Sequence, residues 1–410
     1  SKWTEGVNST DSKEAFPIMR EQISELMRSA RVPGLQVAVI RDGVVVWVEG
    51  FGKMRLPEGG PVDADTVFEA ASLTKPLFAY AVMKMVDRGS LDLDRPILEL
   101  LPREKVEASL GHSTDAEGFR TDWFAAITPR HVLSHTAGLP HGESGVVNPI
   151  FFEPGTDWKY SAEGYAYLQM AVEHVSGRRL DVLIDETVLA PLGMDHSSMV
   201  WREEFEPRMA SGHDVFGDPT ELRRRSEPTA AASLYTTAGD YARFVCAVIN
   251  GEGLETGTLV EMLGWVTEMN DEGTVDLSEE GTVGWSLGFG LQRDAHGRAF
   301  WQWGDYGVFR GYVIASVESR SGVVYLTNSF NGLALCDELI QSTVGRRPLG
   351  CLELAYQQFD SPFYELFWTA EDEGAEVLAA MLPGIVASDS EYFDAVLLCA
   401  IAGLFDEKGL

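Results

Sequence analysis

Strand-forming runs sit at the two ends of a long helical stretch, and that split limits what the chain can fold into. Leu35 to Ile40 and Val44 to Val48 are β-rich and joined by Arg41-Asp42-Gly43, whose Asp-Gly pair is a strong hairpin signal. Before them, Pro17 to Arg31 reads as an amphipathic helix through Ile18, Ile23, Leu26 and Met27, stopped by Pro33-Gly34. From about residue 88 to 235 the pattern is helix and loop, with helical pieces at Arg130 to Ser134, Glu163 to Ser176 and Leu180 to Val188. A helix over Ala238 to Asn250 then leads to strand candidates at Trp285 to Gln292, Ala299 to Trp303, Phe309 to Ser316 and Val323 to Asn328. The chain therefore predicts an α/β (α+β) fold in which a sheet begun by the hairpin resumes after a mostly helical insert.

On this reading residues 1–346 form one domain, with an α/β lobe at 17–88 and 236–346 and a helical lobe at 89–235. Residues 347–410 form a helical C-terminal extension rich in acids and large apolar side chains, among them Leu352, Tyr356, Phe363, Leu366, Phe367, Leu397 and Phe405. The extension is expected to pack on the body, as a cap over the site or as a subunit contact.

With 63 acidic against 32 basic residues, the 410-residue chain carries a net charge of −31. That argues against nucleic acid or an anionic membrane as partner, because both require positive charge to neutralise phosphate. A small-molecule ester, amide or peptide substrate fits better. Only eight of the basic residues are lysines, a bias compatible both with a high-salt environment and with a G+C-rich coding sequence. The apolar run Ala395 to Phe405 is far shorter than the roughly 20 residues of a membrane span. No basic-then-apolar signal opens the chain, which favours a cytoplasmic protein and leaves export open if a leader has been removed. Cys246, Cys336, Cys351 and Cys399 are scattered and read as free buried thiols.

The chemistry is concentrated at Ser72-Leu73-Thr74-Lys75, followed by Pro76 and the amphipathic run Leu77 to Asp87. Residues i and i+3 share a helix face, so an alcohol and an amine lie one turn apart. The first N–H groups of a helix lack intrahelical partners, so Pro76 removes a spare donor while the Ser72 N–H stays available to an oxyanion. A serine nucleophile with a lysine base fits this arrangement, provided burial or a neighbouring cation keeps Lys75 neutral part of the time.

Further segments follow in order: Phe68-Glu69-Ala70-Ala71 ahead of Ser72, Val132-Leu133-Ser134-His135-Thr136-Ala137-Gly138-Leu139-Pro140, and Pro154-Gly155 leading to Tyr160-Ser161-Ala162. Pro191-Leu192-Gly193-Met194 and Ala232-Ser233-Leu234-Tyr235-Thr236-Thr237-Ala238-Gly239-Asp240 come after them. Together these resemble the serine β-lactamase and penicillin-binding-protein superfamily, in its class C β-lactamase-like and esterase branch, over roughly residues 17 to 346. The resemblance implies an antiparallel sheet flanked by helices with a mostly helical lobe inserted. It also implies that Ser72 is acylated, that Lys75 accepts its proton, and that Tyr160 is the phenol that shares the proton traffic, with no cofactor.

Two departures from the family pattern matter. Ala162 stands where an asparagine usually holds an acylamide side chain, which makes β-lactam hydrolysis less favoured. The third motif is best matched by Gln302-Trp303-Gly304, so a neutral amide replaces the usual cation and Arg310 is the nearest candidate to restore the charge. Gly304 would let substrate lie close to the strand, and the N–H of Asp305 would join that of Ser72 in the oxyanion hole.

Two other patterns carry competing signals. Gly284-Trp285-Ser286-Leu287-Gly288 fits a nucleophile elbow, but the strand-like alternation after it argues for a sheet serine. His131 and His135 have zinc-pair spacing without the intervening glutamate, so no metal is expected. The sequence thus predicts a serine hydrolase in which carboxylic-ester hydrolysis leads, with D-amino-acid peptidase or β-lactamase-like activity behind it. An acyltransferase with a non-water acceptor, or a non-catalytic penicillin-binding-like scaffold, are the alternatives.

Overall fold

The computed structural model describes residues 11–102, 104–105, 120–141, 150–269, 282–345, 358–388 and 393–409. Cys351, Leu352 and Tyr356 lie outside the described residues.

Helix α1 (Asp11–Ala30) leads into strands β1 (Gly34–Arg41) and β2 (Val44–Gly52), with Asp42 and Gly43 both at positive φ in the turn between them. The short strand β3 (Phe68–Glu69) precedes a 3₁₀ turn, Ala71–Leu73, and helix α2 (Thr74–Asp87). Short helical segments and α3 (Ala162–Ser176) follow, then β4 (Tyr235–Thr236) and α4 (Ala238–Asn250). The sheet continues through β5 (Thr267–Glu268), β6 (Thr282–Trp285), β7 (Gly290–Asp294), β8 (Gly297–Asp305), β9 (Arg310–Ser316) and β10 (Ser321–Thr327), after which comes α5 (Cys336–Val344).

Among the described residues, eight strands form one antiparallel sheet in the order β2-β1-β10-β9-β8-β7-β6-β5. The N-terminal hairpin joins the late strands through β1 and β10, where Val37 faces Tyr325 and Val39 faces Val323. Alternation along each strand splits the side chains between two cores. Leu35, Val37, Val39, Tyr312, Ile314, Val323 and Tyr325 pack with Ile23 and Met27 of α1 and Leu339 of α5. Ala38, Ile40, Val313, Ala315, Val324 and Leu326 pack with α2 and α4 on the other face. Covering both faces explains why these strands read as nearly continuous apolar runs rather than as alternating ones.

Several expectations change. Helix α2 is not amphipathic: it is buried from Thr74 through Met83. Phe78 meets Tyr165 of α3, Tyr80 meets Phe244 of α4, and Ala79 lies under Gly288, so every side of the helix has a neighbour. The run Trp285 to Gln292 is broken by a turn at Ser286–Phe289, with Trp285 ending β6 and Gly290 to Gln292 opening β7. Ser286 donates from both N–H and Oγ to the Phe289 carbonyl, at 2.9 and 3.1 Å. Gly288 has φ +108°, and a Cβ there would sit 2.4 Å from Ala79 Cβ. Ser286 is therefore a buried turn residue. Of the cysteines, Cys336 is a buried free thiol, but Cys399 is exposed.

In the C-terminal stretch, α6 (Pro362–Glu373), α7 (Ala375–Ser388) and α8 (Ala395–Lys408) pack Leu366, Phe367, Ile385 and Ile401 against Val215, Phe216 and Ala334. Arg31 Nη2 pairs with Asp372 Oδ2 at 2.6 Å, and Lys408 pairs with Asp218. Among the described residues, no helix is long and apolar enough to cross a membrane.

Candidate active site

The turn carrying Ser72 is held from several directions. Glu69 pairs with Tyr235 across the β3–β4 ladder, and Ala70 N–H donates to the Leu234 carbonyl at 2.8 Å. Thr74 Oγ1 donates to the Ala71 carbonyl at 2.6 Å and accepts from Leu234 N–H at 3.0 Å. Tyr241 Oη donates to the Leu73 carbonyl at 2.8 Å. Ala71 has φ +48°, a left-handed conformation costing a non-glycine residue roughly 1–2 kcal/mol. These bonds fix the backbone so that the half-buried Ser72 side chain points toward α2.

Lys75 lies one turn on and is 1% exposed. Its Nζ is 2.9 Å from Ser72 Oγ and 3.0 Å from the Ala231 carbonyl oxygen. Nζ also lies 4.7 Å from the centre of the Tyr160 ring and 5.6 Å from that of Tyr165. The amine is shut away from water and lies against the two phenol rings. The structure thus brings Ser72, Lys75 and Tyr160 together.

Tyr160 comes just before Ser161, the N-cap of α3, whose Oγ accepts from Gly164 N–H at 3.0 Å and donates to the Pro140 carbonyl at 2.6 Å. The Tyr160 ring lies between Trp303 and His135, with centroids 4.8 and 4.3 Å away. Its Oη accepts a hydrogen bond from Gln302 Nε2 at 3.1 Å. The same Nε2 donates to the Trp303 carbonyl at 3.1 Å, which sets the orientation of the fully buried amide. A donor on a phenol oxygen stabilises negative charge there.

His135, with φ +58°, accepts Ser161 N–H at Nδ1 at 3.0 Å, so its proton resides on Nε2. Burial, then the charge of Lys75 and that of His141, hold His135 well below the usual histidine range. His141 accepts Ala162 N–H at Nδ1 at 3.2 Å and is pushed down to about 4, by partial burial first and then by Lys75 and Lys159. The residue pattern marks His135 as structural and gives no sign of His141, which only the Pro140-His141 turn brings beside Tyr160. The other histidine of the zinc-like pair, His131, accepts Thr128 N–H at Nδ1 in a capping box.

Gly304 packs β8 onto the Ser72 turn: a Cβ there would lie 2.4 Å from the Ala70 carbonyl oxygen and 3.4 Å from Leu73 Cγ. Tyr306 donates its N–H to the Phe309 carbonyl at 2.9 Å. By the alternation of an antiparallel ladder, the N–H of Asp305 then turns to the other side of β8. There β7 begins only at Gly290, opposite Trp301. The N–H groups of Ser72 and Asp305 are thereby candidates for one oxyanion.

Ala162, at the first turn of α3, contributes a methyl group and a backbone N–H already taken by His141. The Asp305 carboxylate accepts from Gly307 N–H at 2.6 Å and from Arg310 Nε at 3.0 Å, closing the β8–β9 turn. Arg310, 8% exposed, also donates Nη1 to the Phe330 carbonyl at 2.6 Å and lies 4.0 Å from that ring's centre. Its guanidinium is bound into the fold, which removes it as a substitute cation at position 302.

The sequence profile described as Beta-lactamase matches residues 19–342, and the chain belongs to that family of serine hydrolases, with esterase-like and penicillin-binding-protein-like relatives. Esterase EstB of Burkholderia gladioli is 25% identical over 65% of this chain and 76% of its own length. Penicillin-binding protein 4 of Amycolatopsis lactamdurans is 28% identical over 66% of this chain and 74% of its own. The octameric penicillin-binding protein homologue from Pyrococcus abyssi has the same fold, with TM-score 0.64 and 22% identity over 77% of this chain and 74% of that one. D-Alanine carboxypeptidase AmpC from Burkholderia cenocepacia also shares it, at TM-score 0.62 and 20% identity over 78% and 95%.

Proposed function

We propose that the protein hydrolyses carboxylic esters through an acyl-enzyme on Ser72. The observation that carries this reading is the 2.9 Å contact between Ser72 Oγ and the enclosed Lys75 Nζ, beside a phenol whose oxygen Gln302 holds. A neutral amine has two N–H donors and one lone pair. The Ala231 carbonyl accepts one N–H, and the 2.9 Å contact puts the nitrogen of the deprotonated amine within reach of the Ser72 proton. Ser72 Oγ then attacks the substrate carbonyl, and the N–H groups of Ser72 and Asp305 receive the oxyanion, each such donor being worth about 3 kcal/mol at the transition state. Tyr160 and Lys75 return a proton to the leaving oxygen, and water, deprotonated by the same pair, releases the acyl group.

Ester hydrolysis leads because Ala162 offers no side-chain amide to grip an acylamide and Gln302 offers no charge, while a relative bears an esterase name. Cleavage of D-amino-acid peptides is the second reading, because one structural neighbour is named a D-alanine carboxypeptidase. Turnover of p-nitrophenyl acetate by the wild type and its loss in Ser72→Ala test the assignment. A Ser72→Ala protein with unchanged kcat refutes it.

A further inference from the structure

Two arginines next to this site share a single carboxylate. Arg224 pairs with Glu206 at 2.6 Å, whereas its neighbours Arg223 and Arg225 turn to another carboxylate. Both reach Glu69 on β3, at 3.9 and 3.6 Å, distances well beyond a bidentate guanidinium–carboxylate pair. Both also lie over the ring of Tyr306, at 5.0 and 4.5 Å from its centre, and Arg223 Nη2 donates to the Tyr306 carbonyl at 3.4 Å. Arg225 Nε is buried without a hydrogen-bond partner.

The location ties the pair to the reaction. Glu69 is three residues before Ser72. Tyr306 follows Asp305, and Gly304 packs on Ala70. The two arginines therefore converge where β3 and the end of β8 meet beside the candidate oxyanion donors. One buried carboxylate against two guanidiniums leaves a net positive charge, in a chain whose overall charge is −31. The Arg223 and Arg225 side chains are 40% and 26% exposed, so each keeps surface that solvent, and hence a ligand, can reach.

We propose that Arg223 and Arg225, stacked on Tyr306, form a carboxylate-binding subsite that selects esters bearing a second, free carboxylate. This rests on the ester-hydrolase reading of Ser72 and specifies its substrate class. A cation of the kind missing at Gln302 is thus supplied by the segment before β4 rather than by β8. Forked N–H donors match a planar carboxylate in two bonds, and the ring beneath keeps the guanidinium planes oriented.

The test compares kcat/KM for three esters: neutral 4-nitrophenyl butanoate, 4-nitrophenyl hydrogen glutarate with its carboxylate on the acyl side, and 3-carboxyphenyl butanoate with it on the leaving group. Wild type is set beside Arg223→Gln/Arg225→Gln, and beside that double variant with Glu69→Gln added, which leaves no unpaired buried carboxylate. In both, the charged-to-neutral ratio is expected to fall about ten- to a hundredfold for at least one charged ester. The ester that loses shows which side of the scissile bond the pair reads. Arg225→Lys, tested alone, should retain more of the preference than Arg225→Gln. A ratio unchanged for both charged esters in correctly folded variants overturns the proposal. Ser72→Ala is run alongside: if it keeps turnover, the nucleophile assignment fails, whereas an unchanged ratio with an inactive Ser72→Ala protein means that the subsite fails by itself.

Discussion

Replacing Gly304 by alanine measures how closely β8 must approach the Ser72 turn. The added Cβ would sit 2.4 Å from the Ala70 carbonyl oxygen, about 1 Å inside the 3.4 Å at which ordinary contact begins. The obstacle is backbone, and Ala70 is pinned by its own N–H bond to Leu234 while the Thr74 and Tyr241 side chains hold the next residues. The strand must therefore retreat, carrying the Asp305 N–H with it. A displacement of about 1 Å in a positioned group costs on the order of a hundredfold in rate, and overpacking costs about 1–3 kcal/mol in stability. With p-nitrophenyl acetate, Gly304→Ala should lose about two orders of magnitude in kcat, with a smaller change in KM because the oxyanion bonds matter most in the transition state. Gly307→Ala serves as the control: its φ is +75° but a Cβ meets nothing within 4 Å, so it should lose stability with little loss of rate. A folded Gly304→Ala protein with kcat within threefold of wild type would refute the argument that strand and turn are held together for the chemistry.

Other substitutions probe the remaining parts. Tyr160→Phe keeps the ring between His135 and Trp303 but removes the oxygen that Gln302 holds, and should lower kcat by about 10²–10⁴ with unchanged circular dichroism; near-normal kcat would remove the phenol from the chemistry. Arg310→Met leaves the Asp305 carboxylate without its buried partner and should cost about 3 kcal/mol in denaturant unfolding. Folding holds His135 and His141 below their unfolded values, so their contribution is present above about pH 6.5 and is lost as the pH falls through that value, because the unfolded chain binds protons that the folded one refuses. In urea unfolding the wild type should therefore lose stability relative to a His141→Asn protein between pH 7 and pH 5, with the loss levelling off near pH 4; a difference that does not change with pH contradicts the depressed His141.

The sequence was most legible where local chemistry and the global fold agree. Thr237 caps α4, Gly251 ends it, and its periodicity gives Ala238 to Asn250 without error; Asp42-Gly43 marks the hairpin turn as directly. Legibility failed where tertiary contact decides. The enclosure of α2 comes from partners far along the chain, so its flank reads as amphipathic until Tyr165 and Phe244 are in place. The turn at Ser286–Phe289 hides inside an apolar alternation and shows itself only through Gly288 against Ala79. Ser72, Lys75 and Tyr160 could be singled out by motif. The positions of His141, Arg223 and Arg225 depend on loops whose course the residue pattern does not encode.

The central claim is that Ser72 carries the acyl group. Intact-mass analysis with peptide mapping, after quenching the protein during turnover of a slow ester, tests it most directly. One acyl unit is expected on the peptide containing Ser72 and none on the Ser72→Ala protein. An adduct on another residue, or one that persists in Ser72→Ala, would contradict the account.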